Sequence, residues 1–218
     1  ALEKDTRCFL LCNPHNPIGR VYTRQELHAM AEICLRHNMV ICSDEIHSDL
    51  VYQGASHVPI ASIDAEIADH TVTLIAPSKT YNIAGLECSA LICTNAELRE
   101  KIQHARRGLL GGVNLLGMIA GAAAYREGDD WLREVMAVLE GNRDFLMGYL
   151  AEKLPAIKML QPEATYLAWL DCRELNLPAS PAKYFLEHAR VAVNAGEDFG
   201  KPGEGFVRLN FGCTRSTL

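Results

Sequence analysis

Apolar residues come in short unbroken blocks along the first half of the chain. Arg7–Cys12 reads Arg-Cys-Phe-Leu-Leu-Cys, and Met39–Ser43, Thr71–Ala76 and Cys88–Thr94 repeat that form. Runs of this length with almost no polar interruption predict strands buried on both faces. A different period lies between the first two. Thr23 with Glu26 three residues later matches a capping box, and Leu27, Met30, Ala31, Cys34 and Leu35 fall on one face of a helix over Arg24–His37. A further helix is predicted over Ala96–Arg107. Strands alternating with helices in this way imply an α/β fold: a large, mixed but mostly parallel sheet covered on both faces.

The second half changes character. Gly108–Gly112 reads as a flexible link, followed by helices over Asn114–Arg126 and Asp129–Leu154, the latter long enough to bridge two domains. After Pro155 come a strand (Thr165–Asp171), a helix opened by Ser180-Pro181 and a strand (Gly205–Asn210). Proline is tolerated in the first helical turn, because its missing N–H has no partner there. These elements predict a small α+β domain at the C-terminal end. The expected division is therefore part of a large domain at 1–128, then an interdomain helix and small domain at 129–218. Internal repeats and low-complexity stretches are absent from the sequence.

Composition narrows the classes of function. The chain has 218 residues, 49% hydrophobic and 22% charged, with a formal net charge of −6. An acidic balance without a basic stripe argues against a nucleic-acid partner. No apolar run reaches the roughly 20 residues that span a bilayer, so no membrane partner is expected. Eight cysteines are present, most inside apolar runs, and none forms a Cys-x-x-Cys pair. They read as small hydrophobes and not as disulfide or zinc ligands. No metal is expected, and a reducing, cytoplasmic compartment is.

Candidate chemistry gathers after the strands. In an open α/β sheet, ligands bind beyond the carboxyl ends of the strands. The first strand runs into Asn13-Pro14-His15-Asn16-Pro17-Ile18-Gly19, the second into Asp44-Glu45-Ile46-His47, and the third into Ser78-Lys79-Thr80-Tyr81-Asn82. Parallel strands would bring Asn16, Asp44, His47 and Lys79 to one edge. A partly desolvated lysine there is a nucleophilic amine. A neighbouring carboxylate can hold a protonated pyridine nitrogen, and an asparagine and a histidine can donate to a phenolic oxygen. Farther on, Arg208 in Phe-Val-Arg-Leu-Asn-Phe offers a rigid fork for a substrate carboxylate.

The four motifs Asn-Pro-His-Asn-Pro-x-Gly, Asp-Glu-Ile-His-Ser-Asp, Ala-Pro-Ser-Lys-Thr-Tyr-Asn-Ile-Ala-Gly-Leu and Val-Arg-Leu-Asn-Phe-Gly-Cys-x-Arg resemble, in this order, the fold-type-I enzymes that use pyridoxal 5'-phosphate (PLP). Within them the chain is similar to the cystathionine β-lyase branch of C–S lyases. The resemblance implies PLP as cofactor, with Lys79 as the lysine that carries it as a Schiff base and Asp44 on its pyridine nitrogen. It implies Asn16 at the ring oxygen, and His47 where many aminotransferases have tyrosine. Ser78 would sit near the phosphate, and Arg208 on the α-carboxylate of a small amino-acid substrate. It further implies α,β-elimination of a sulfur amino acid to pyruvate, ammonia and a thiol, in a homodimer. An aminotransferase of class I/II uses the same residues and stays open, as does a non-catalytic regulatory or binding fragment. Many aminotransferases carry a phosphate-binding arginine eight residues after the lysine; that position is Glu87, and with His47 it leans toward the lyase. Members of the family are nearly twice as long, so a fragment lacking an N-terminal part is expected.

Overall fold

The computed structural model describes residues 3–109 and 111–218. Ala1, Leu2 and Leu110, the last within the expected Gly108–Gly112 link, lie outside the described residues. Contacts divide the chain into two compact units. The first comprises Ala1–Pro14, Val21–Val51 and Ala55–Arg133; the second comprises His15–Arg20, Tyr52–Gly54 and Glu134–Leu218.

The first unit is built on a four-stranded sheet. Its elements are β1 (Cys8–Cys12), α1 (Arg24–Arg36), β2 (Val40–Asp44), α2 (Ala65–Asp69), β3 (Thr71–Ile75), α3 (Pro77–Thr80), β4 (Ala90–Ile92), α4 (Ala96–Ala105) and α5 (Leu115–Glu127). The strand order is β1-β2-β3-β4. β1 and β2 run parallel with Cys12 opposite Asp44, and β2 and β3 run parallel with Asp44 opposite Leu74. The capping box is present: Thr23 Oγ1 accepts from Glu26 N at 3.2 Å, while Glu26 Oε2 accepts from Thr23 N at 2.9 Å. Leu27, Ala31 and Cys34 of α1 pack with Leu11, Ile41, Ile60 and Ile67 into one buried cluster on one side of the sheet. Burial of each large aliphatic side chain there contributes about 2 kcal/mol.

Two expectations need correcting. The strand over Cys88–Thr94 is shorter than its apolar run, while its antiparallel pairing with β3 agrees with the mixed sheet expected. An apolar run has the same pattern in either direction, so periodicity does not report polarity. Nor are both sheet faces covered, since Leu10 on β1 is 77% exposed and Leu91 and Ile92 on β4 are exposed. Helix α2 and the one-turn α3 are too short for a 3.6-residue period to register, and sequence reading passes over them.

The helix α6 (Asp129–Lys153) continues into the second unit, which carries β5 (Lys158–Met159), β6 (Leu167–Asp171), α7 (Pro181–Ala189), β7 (Asn194–Ala195) and β8 (Phe206–Asn210). Its sheet is ordered β5-β6-β8-β7 with all pairs antiparallel. α7 starts on Pro181 after Ser180, as its sequence predicts. Trp169 of β6 stacks on Phe206 of β8 with ring centroids 5.3 Å apart. Among the described residues, no helix is long and apolar enough to cross a membrane.

Candidate active site

Lys79 owes its position to Pro77. β3 ends at Ile75, and proline, with φ already helical, starts the single turn α3 that carries Ser78 and Lys79. Both side chains are half-buried. Thr80 Oγ1 donates to Asp49 Oδ2 at 3.0 Å, which ties this turn to the segment after β2. Tyr81 closes it, with its ring 5.8 Å from those of Tyr125 and Trp131. Burial raises the Tyr81 phenol above its usual range, with Asp49 and Asp129 adding to the effect. Gly128 lacks a Cβ where one would overlap the Tyr81 ring, so the ring packs closely against this glycine.

Asp44 is the last residue of β2, half-buried, and its Oδ1 accepts from Ile46 N at 3.3 Å. Since β1, β2 and β3 are parallel, their carboxyl ends share one edge, and Asp44 and α3 both follow from it. Neither Asp44 nor Lys79 forms an ion pair among the described residues, so a half-buried carboxyl group and a half-buried amine are left for another partner. His47 lies in the turn after β2 and is buried. The first unit thus presents Asp44, His47, Ser78 and Lys79 from the strand ends at one sheet edge.

The second unit brings Asn16 and Arg208 together. Arg208 Nη1 donates to Asn16 Oδ1 at 2.8 Å and Nη2 to Asn194 Oδ1 at 2.9 Å, and the guanidinium lies 4.8 Å from the centroid of the Phe199 ring. Arg208 Nε is buried and has no acceptor among the described residues. Burial raises the Tyr166 phenol, and Arg208 partly opposes that shift. The turn bearing Asn16 is anchored by Gly19, whose carbonyl accepts from Glu163 N at 2.8 Å and Ala164 N at 2.9 Å. Gly19 has φ +75°, and a Cβ there would overlap Pro162 and lie 2.8 Å from the Ala164 carbonyl oxygen. Only glycine meets both demands.

Sequence reading missed four residues. Asn194 grips Arg208 from the two-residue β7, which is too short to carry a pattern. Asn13, Glu45 and His57 form a buried polar group in the first unit. His57 Nε2 lies 2.9 Å from Glu45 Oε2, and Asn13 Nδ2 lies 3.4 Å from His57 Nδ1. Strand alternation carries the signal for Glu45: a residue next to Asp44 must face the opposite side of the sheet, where a carboxylate needs partners. A cleft of about 720 Å³ on this unit is lined by Glu45, Ser48, Asp49, His57, Thr73 and Ile75 among others, but not by Lys79 or Asp44. Glu87 is exposed at the end of a 3-10 turn, with φ +49°.

The chain is similar to known proteins over nearly its whole length. Cystathionine beta-lyase PatB of Bacillus subtilis is 43% identical over 212 residues, 96% of this chain and 55% of the relative. Protein MalY of Escherichia coli is 36% identical over 219 residues, 99% of this chain and 55% of the relative. The crystal structure of cystalysin from Treponema denticola, which contains PLP, superposes with a TM-score of 0.94 at 34% identity, covering 98% of this chain and 55% of that one. The chain thus spans about half the length of the curated relatives it matches. The fold is that of the PLP-dependent aminotransferase-type proteins. The model for aminotransferases of class I and II matches residues 1–218, and the chain belongs to that family.

Proposed function

We propose that the protein is a PLP-dependent C–S β-lyase that, with one water, cleaves a cystathionine-like amino acid to pyruvate, ammonia and a thiol. The observation that carries this reading is an Asp44 carboxyl group and a Lys79 amine, neither in an ion pair among the described residues, at one edge of parallel strands: the two groups that PLP chemistry needs from its protein. PLP bound there supplies an electron sink for the pair left on the substrate's α-carbon. Lys79 anchors it and takes the α-proton at Nζ. Asp44 pairs with the pyridine N–H. Asn16 and His47 donate to the ring oxygen, and Ser78 to the phosphate. Arg208 binds the α-carboxylate, where its Nε finds the acceptor it lacks. Residues 1–128 belong to the cofactor domain and 129–218 to the bridging helix and small domain.

Lyase is favoured over transamination by relatives named cystathionine β-lyase in Bacillus subtilis and Corynebacterium glutamicum, and by the exposed Glu87 in place of a phosphate-binding arginine. The family match favours an aminotransferase as second reading. A homodimer accounts for the exposed Leu115, Leu116 and Ile119 of α5, and eight free thiols fit a cytoplasmic location.

The test is a pyruvate assay with PLP and L-cystathionine. Pyruvate formed without added keto acid, and lost in Lys79→Ala, is the expected result. Product formation that requires a keto-acid co-substrate would replace the lyase by the aminotransferase. Pyruvate release by Lys79→Ala near the parent rate would overturn both.

A further inference from the structure

Glu45 is 2% exposed and follows directly on Asp44. Its carboxylate is met from three sides. Oε1 accepts from Ser43 Oγ at 2.8 Å and from Ile60 N at 3.3 Å, and Oε2 faces His57 Nε2 at 2.9 Å. The His57 side chain is itself 8% exposed. Its other ring nitrogen faces Asn13 Nδ2 at 3.4 Å. The orientation of the Asn13 amide is fixed independently, because Asn13 Oδ1 accepts from Tyr22 N at 3.1 Å. The nitrogen that meets His57 is therefore a donor, and His57 Nδ1 must accept. The imidazole proton is then on Nε2 and points at Glu45. One arrangement satisfies every member: amide to imidazole to carboxylate, with the imidazole neutral.

The chain of bonds spans two strand ends. Asn13 follows β1 and its backbone N–H donates to the Asp44 carbonyl at 3.0 Å; Glu45 follows β2 and its N–H donates to the Leu74 carbonyl of β3 at 2.9 Å. Side chains and backbone together tie β1, β2 and β3 at the place from which Asp44 is presented.

We propose that Asn13, His57 and Glu45 form a proton-ordered relay that positions the Asp44 carboxylate for PLP. The inference rests on the reading of Asp44 as the pyridine partner. In this role Glu45 is a positioning residue and touches neither cofactor nor substrate. The polarity of the relay makes it testable. Glu45→Gln keeps shape and the Oε1 acceptor, but turns an N–H₂ toward the His57 N–H. The imidazole can answer only by moving its proton to Nδ1, where it opposes the Asn13 amide. Asn13→Asp in the same chain removes that conflict, since its second oxygen accepts from Nδ1 while the first still takes the Tyr22 N–H. The double variant has the same number of hydrogen bonds and the same charge, with the direction reversed.

The experiment compares the purified chain, Glu45→Gln, and Glu45→Gln with Asn13→Asp. ¹⁵N shifts of the His57 ring read the tautomer, hydrogen exchange at the Asn13 amide reads the strand ends, and a visible titration reads the dissociation constant for PLP. The parent should show protonated Nε2 and bare Nδ1, reversed in the double variant. Glu45→Gln should weaken PLP about tenfold or more, as loss of a carboxylate behind a histidine does at metal sites, and should speed exchange at Asn13; the double variant should recover both. A parent ring protonated at Nδ1, or at both nitrogens at neutral pH, overturns the relay. A Glu45→Gln protein that melts earlier but binds PLP as the parent does, with Asn13 still protected, overturns the positioning role. Asp44→Asn, run alongside, separates the two claims: unchanged PLP affinity there overturns the role given to Asp44, and the ring shifts and Asn13 exchange still decide the relay.

Discussion

Replacing Asn142 by alanine should cost about 3 kcal/mol of stability. Asn142 lies on α6 and is 0% exposed. Its Nδ2 donates to the carbonyls of Phe211 at 3.0 Å and Cys213 at 2.8 Å, and its Oδ1 accepts from Arg215 Nε at 2.9 Å. Every hydrogen-bonding position that faces the chain after β8 is thus in use. Alanine leaves two carbonyls unmatched, one of them on the fully buried Phe211. Each unmatched buried group costs about 1–3 kcal/mol. Arg215 is exposed and can turn to water, so it adds little. Asparagine to aspartate is the sharper comparison. It keeps the acceptor for Arg215 but sets a carboxylate oxygen against two carbonyl oxygens, and near neutral pH it should cost at least as much as alanine. Urea unfolding of the purified chain measures both, and about 3 kcal/mol corresponds to a melting-point fall of roughly 6–12 °C at this size. A loss below about 1 kcal/mol in both variants would refute the view that this amide holds the end of the strand bearing Arg208.

Other outcomes follow from the same kind of reasoning. Gly19→Ala should destabilise the Asn16 turn by about 2 kcal/mol or more, because a left-handed φ and overlap with Pro162 act together; unfolding at the parent urea midpoint would contradict this. Arg208→Lys should lower kcat/KM about 10–100-fold through loss of the planar fork, read in the pyruvate assay, and a change under about threefold would count against a carboxylate role. The Cys172 thiol is pushed up to about 12, first by burial and then by Asp171. The native chain therefore holds that proton while the unfolded chain, near the ordinary value of 9.0, releases it. The stability this contributes is present below about pH 9 and is lost as pH rises toward about 12. Cys172→Ala should flatten that alkaline slope. With an aromatic disulfide reagent at pH 8, exposed Cys8 should react first and Cys172 only on unfolding.

The strands of the first half were legible as unbroken apolar runs, and α1 because its apolar residues repeat with the helical period. Thr23 and Glu26 announced α1 to the residue. β4 is shorter than its apolar run, and its direction could not be read because such a run is silent on strand direction; Leu91 and Ile92 are apolar yet exposed. β5 and β7 have two residues each, too few for any period. The motif residues could be named because their types are chemically pointed: a lysine after a small-residue strand end, a carboxylate at the next. Their neighbours could not. Nothing in the sequence around His57 says that it meets Glu45, twelve residues earlier, and the pairing of Arg208 with Asn16 joins positions 192 residues apart.

Lys79 is the lysine proposed to hold PLP. The chain has seven lysines, so the claim can fail at six other places. The direct measurement is borohydride reduction of the chain mixed with PLP, followed by digestion and mass spectrometry. The added cofactor mass should fall on the peptide containing Lys79 and disappear in Lys79→Ala. The same mass on a peptide with another lysine, persisting in Lys79→Ala, would contradict it.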